Sequence, residues 1–148
     1  MPGCVLRAYG TAFNVDQFLK ESSLSPCAIF RKGEKKSQRS KVEYKKSGIT
    51  VVASEASGEK ISKQFKDALT FLKRHKSEIV RLKKTAGVET VNLDFGVTLR
   101  IGYKDCFWPG INLPEPLIQA AAELRLELAF SFFPNVNPTY LLATDGDT

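Results

Sequence analysis

The 148-residue chain is poor in the side chains that build catalytic and metal centres. It holds one histidine, His75, and three cysteines, Cys4, Cys27 and Cys106, far apart from one another. A structural zinc site takes four ligands, usually with cysteines paired closely in sequence, so a metal centre is not expected. A cysteine nucleophile needs a base, usually histidine. Cys106 with His75 is the one such pairing open, and a thiol packed beside Phe107 and Trp108 is the simpler reading. An odd, scattered set of cysteines excludes a disulfide framework and suits a reducing cytoplasm. All three are expected as buried small apolar residues. No glycine-rich phosphate loop leads from a strand into a helix. Asp94, Phe95 and Gly96 spell a kinase tripeptide, but the other kinase motifs are missing. No apolar run approaches the ~20 residues that span a bilayer, and the N-terminus lacks a basic region followed by an apolar one. The expectation is a cytoplasmic protein with no membrane contact, no cofactor, no metal and no catalytic residues, hence not an enzyme.

What the chain does have is an ordinary apolar share of 43% and a charged share of 26%. A chain of this length buries roughly 68–70% of its unfolded surface, enough for a core without staples. The net charge of +6 is concentrated in one place. Residues 31–46 hold Arg31, Lys32, Lys35, Lys36, Arg39, Lys41, Lys45 and Lys46 against only Glu34 and Glu43. That excess equals the excess of the whole chain. The segment has no apolar period and reads as a mobile loop or a long hairpin connection.

The strongest periodic signal lies at residues 91–101. Val91, Leu93, Phe95, Val97, Leu99 and Ile101 alternate with Asn92, Asp94, Gly96, Thr98 and Arg100. A period of two marks a strand with one face buried. Asp94 and Arg100 on its polar side either line a groove or face solvent. Before it come strands over residues 4–9, 27–30 and 49–53. Asn14 and Gln17 form a capping box, with Phe13 and Phe18 as a hydrophobic staple, so a helix starts there. Ile61, Phe65, Ala68, Leu69 and Leu72 make a helical stripe that breaks near His75. Ser77 then caps a second short helix carrying Ile79, Val80 and Leu82, and Gly87 suits a left-handed stop. Pro114 and Pro116 fit the first turn of a helix over residues 115–125. Leu126, Leu128, Phe130 and Phe132 alternate in a last strand that Pro134 closes.

The order is βαββααβαβ. The expected class is α+β: a single two-layer domain over residues 1–134, with residues 135–148 a flexible tail. Its antiparallel sheet carries helices on one face, a ferredoxin-like core plus an extra helix and strand. Val91, Leu93, Phe95, Val97 and Leu99 are expected against Phe65, Leu69, Leu72, Leu117 and Ala121.

Several stretches resemble an uncharacterised bacterial family, the domain of unknown function forty-two seventy-nine. They are VLRAYG, the Ser25–Pro26 step, Lys32-Gly33-Glu34, a strand ending at Ser54, LTFLKRH, IVRLKK and, best matched, NLPEPLIQAAAELRLELAFSFF. The resemblance covers residues 4–133. It departs at Ile49, where the family often has tryptophan. It implies a small α+β protein and, by analogy with some members, an immunity-type role in a toxin–immunity system. It implies no catalytic residue.

Taken together, the leading expectation is a non-enzymatic binding protein, with an immunity-type protein that occludes a toxin as one form. Its partner is expected to be an acidic protein, met by Arg31, Lys32, Lys35, Lys36, Arg39 and Lys41 and anchored by Tyr103, Phe107 and Trp108. The competing class is nucleic-acid binding through the same basic residues. It is disfavoured because only Phe30 and Tyr44 flank the segment, and single-strand binders interleave aromatics with charge. A solvated loop is the plainer reading of the same charge. A small-molecule binder or enzyme using the aromatic loop ranks third.

Overall fold

The computed structural model describes residues 3–104 and 110–139. Nine elements follow in the order βαββααβαβ. They are β1 (Cys4–Gly10), α1 (Val15–Lys20), β2 (Ala28–Phe30), β3 (Ser47–Ser54), α2 (Ile61–Arg74), α3 (Lys76–Lys84), β4 (Thr90–Ile101), α4 (Glu115–Glu123) and β5 (Glu127–Val136).

Local signals set several boundaries. The Asn14 side chain accepts a hydrogen bond from the backbone N–H of Gln17 at 3.1 Å, which starts α1. Phe13 meets Phe18 edge-on at 6.0 Å, the staple across that start. The helix break falls at His75, which is the last cap of α2 and the first of α3; Ser77 lies inside α3 and does not cap it. Continuing α2 would have turned Lys76 into the core, so the chain bends instead. Gly87 takes a φ of 88°, past the end of α3, in the turn that leads to β4.

The sheet order is β2-β3-β1-β4-β5. The first four strands pair antiparallel, which is the split βαββαβ arrangement of a ferredoxin-like core. The fifth strand departs from the expected antiparallel sheet: β5 pairs parallel to β4 over its whole length. The physical reason is the connection, since α4 carries the chain back before β5 begins and such crossovers join parallel strands. The domain is therefore α+β with a mixed sheet. Pro134 does not close the last strand, which runs on through Asn135 to Val136, so the expected tail boundary at residue 135 moves outward. Asn137 adds a backbone hydrogen bond to Ile101 at 2.8 Å.

Register places Leu6 between Val51 and Leu93, and Leu93 beside Leu128. This face is the buried one. Val91, Leu93 and Phe95 join Phe65, Leu72, Leu117 and Ala121 in a single core cluster, with Leu69 partly buried against it. All four helices contribute to that cluster, so they cover one face of the sheet. Val97 is buried, whereas Leu99 is only half-buried, because β1 has ended and β4 there has β5 as its paired strand.

Candidate functional site

The basic segment takes the second of its two expected forms, a hairpin arm. Residues 31–36 and 41–46 fold back on each other through backbone bonds from Gly33 to Tyr44, from Tyr44 to Glu34 and from Lys36 to Val42, at 2.8–2.9 Å. A bridge joins Lys35 and Glu43, and a turn from Ser37 to Ser40 closes the tip. Polar residues can form such a ladder because the hydrogen bonds are main-chain ones. At the root, Phe30 and Tyr44 stack at 4.9 Å. Lys36 lies over the Tyr44 ring at 5.9 Å, and Lys46 over Tyr9 at 5.4 Å.

Ion pairs tie the arm to the body. Arg31 makes a two-pronged bond to Asp16 of α1, at 2.7 and 3.1 Å. The same hydrogen bond holds the Asp16 carboxyl below its ordinary range. Lys46 reaches Glu89 at 3.8 Å. The positive charge therefore divides in two. Arg31, Lys36 and Lys46 are engaged within the chain. Lys32, Lys35, Arg39, Lys41 and Lys45 are not fully covered by anything: all five are exposed, and no ion pair to them occurs among the described residues.

The expected site residues do not come together. Arg31, Lys32, Lys35, Lys36, Arg39 and Lys41 sit at the end of the sheet where Tyr9 pairs with Gly48 and Thr90. Tyr103 follows the opposite end of β4, donating from its hydroxyl to Asn135 at 3.2 Å, with the Arg100 guanidinium over its ring. At about 3.3 Å per residue, Thr90 to Ile101 alone separates the two groups by roughly 35 Å. Phe107 and Trp108, with Cys106, lie outside the described residues.

The face of the sheet without helices carries a second polar cluster. Asp94 is only 5% exposed, so it is not on a solvated face as one reading had it. It pairs with Arg7 of β1 and accepts a hydrogen bond from the Ser131 hydroxyl of β5, whose oxygen lies 2.8 and 2.9 Å from the two carboxylate oxygens. Sequence reading missed Arg7 and Ser131. Arg7 does lie on the polar alternation of β1, but nothing in that alternation says which strand it will face. A buried carboxylate held by a cation and a hydroxyl links three strands.

The thiols differ from expectation in one case. Cys4 is buried, and burial together with the charge of Asp94 pushes its pKa up, which makes it unreactive. Cys27 is exposed, because it precedes the edge strand β2 and nothing covers that edge; its thiol donates to the Thr50 carbonyl at 3.4 Å. Among the described residues, no three His, Cys, Asp or Glu side chains are grouped so as to hold a metal. No helix among them is long and apolar enough to cross a membrane.

A groove of about 570 Å³ runs between β3 and α2. Leu24, Val51 and Phe71 form its apolar wall. The one imidazole lies along it, with the His75 ring against Phe71 at 4.7 Å. At the other end the Ser54 hydroxyl donates to Asp67 at 2.7 Å, which with Lys63 keeps that carboxyl below its ordinary range.

Residues 2–133 match the family described as Domain of unknown function (DUF4279). The chain belongs to that family. No curated protein and no solved structure matches it. The DUF4279 match spans β1 through most of β5, so the hairpin arm and the Asp94 cluster both lie within the family domain.

Proposed function

We propose that this DUF4279 protein is a non-enzymatic binding protein whose working surface is the hairpin arm. Its partner on this reading is an acidic protein surface. The observation that carries the reading is the set of five exposed cations on an ordered hairpin, Lys32, Lys35, Arg39, Lys41 and Lys45. Charges on a rigid hairpin are held in place before the encounter, so less ordering entropy is lost on binding than from a mobile loop. Their shared sign raises the association rate with a negative surface. Val42, exposed among them, supplies an apolar contact at the same tip. An immunity-type protein, in which that partner is a toxin, is the finer form of this reading.

Nucleic acid is the competing partner. Against it stands the use of the two aromatic rings: Phe30 and Tyr44 are stacked on each other, and Lys36 covers Tyr44. Base stacking needs a free ring face. The test replaces Lys32, Lys35, Arg39 and Lys41 by serine and titrates native and variant proteins with mixed-sequence DNA and RNA at physiological salt. The expected result is no sub-micromolar nucleic-acid binding by either. A reconstituted complex with a co-purified acidic protein should associate more slowly in the variant, with a weaker salt dependence. Sub-micromolar native DNA binding that the variant loses, and that falls by roughly 10³–10⁵ between 50 and 200 mM salt as 6–10 phosphate contacts would require, overturns the ranking.

A further inference from the structure

The strand β5 is the outer strand of the sheet and, among the described residues, pairs only with β4. Asn137 donates its backbone N–H to Ile101 of β4. Main-chain groups alternate sides along a strand, so the odd-numbered residues of β5 face β4. Leu128, Phe130, Phe132, Pro134 and Val136 then direct theirs to the free edge. Pro134 fits this assignment, because a proline in a sheet is tolerated where its missing N–H would point outward. From Leu128 to Val136 there is no charged residue. Phe132 and Phe133 are 52% and 43% exposed and lie on opposite faces. Natural edge strands are usually kept short, charged or covered. This one is ten residues long and mostly apolar, and among the described residues Pro134 is the guard it carries.

We propose that β5 is a self-pairing edge, across which two copies of the chain join antiparallel into one continuous sheet. The strand is complementary to itself in one register, centred on Phe130. There Phe130 faces its own copy and Leu128 faces Phe132, so the outward N–H and C=O groups of all three are used in both directions. Pro134 falls opposite Leu126, before β5 begins, and its missing donor costs no rung. Phe132 against Leu128 is an aromatic–aliphatic cross-strand pair, and Ala129 against Ser131 lets the backbones approach. Glu127, the one charged residue of the strand, meets Phe133, so no like charges are opposed. The basic arm lies at the other edge of the sheet, and this pairing keeps the two arms as far apart as the fold allows. A strand from an unrelated protein would need none of this symmetry.

The register makes the test specific. Sedimentation equilibrium over a hundredfold concentration range should show a reversible dimer. Phe132→Lys should weaken it at least tenfold. Phe133→Lys should retain it, because the new lysine faces Glu127 of the second copy. In the native protein, the amide hydrogens of Leu128, Phe130 and Phe132 should exchange more slowly as concentration rises, a readout that needs no variant to fold. A monomer at every concentration overturns the proposal and leaves the edge to a strand of another protein. So does a dimer that both lysine variants lose equally, or one that Phe132→Lys leaves intact.

Discussion

The two edges of this sheet are built on opposite plans. At one edge β2 is three residues long, follows Pro26 closely and continues into the basic arm. Its free main-chain groups are few, and five uncompensated cations stand beside them. At the other edge β5 offers ten residues of strand, with Glu127 at its start as the one charge and Phe130, Phe132 and Phe133 along it. Leu128 and Phe130 of β5 pack against the core cluster, whereas no residue of β2 belongs to it. A short, basic edge repels other strands and attracts acidic surfaces. A long, apolar edge does the reverse. The proposed heterologous binding falls at the first edge and the proposed self-pairing at the second, the width of the sheet apart.

The largest expected effect strikes the core on which β5 packs. Leu93 is fully buried between β1 and β5, and Leu93→Ala should cost ~2–5 kcal/mol in chemical denaturation. Unchanged stability would break the picture of β4 at the centre of that core. A smaller effect should follow Arg7→Ala, which leaves the Asp94 carboxylate with the Ser131 hydroxyl as its donor. Removing a partner from a buried charge costs more than the pair contributes. Because Arg7 is itself part-exposed and water can reach it, the loss should be about 1–3 kcal/mol. No loss would mean that the cluster does not tie β1, β4 and β5 together. Smaller still, Tyr44→Ala removes the stack at the arm's root, worth about 0.5–1.5 kcal/mol. Its amide exchange should quicken in residues 31–46 and stay constant in β5. Faster exchange in β5 as well would show that the two edges are coupled.

Much of the fold was legible because it rests on local periodicity. The alternation of β4, the cap and staple of α1 and the stripe of α2 each need only neighbouring residues. The direction of β5 was not legible, since its alternation is the same whether it pairs parallel or antiparallel. Only the path of α4 decides it. The site divides in the same way. The charge of residues 31–46 is plain in the composition, although Lys45, exposed on the arm, was not in the expected contact set. Its order as a hairpin comes from main-chain bonds to which side-chain types are nearly blind. Asp94 looked like one polar residue among several on β4. Its burial depends on Arg7, 87 positions away, and Ser131, 37 positions away. Phe132 read as part of the apolar alternation of the last strand, and lies at an edge because β5 is outermost.

The division of labour between the edges is tested most directly by amide hydrogen exchange on the native protein, resolved along the chain and repeated at low and high concentration. The account predicts that protection rises with concentration at Leu128, Phe130 and Phe132 and does not change across residues 31–46. Protection that rises with concentration in the arm, with none gained in β5, would contradict it.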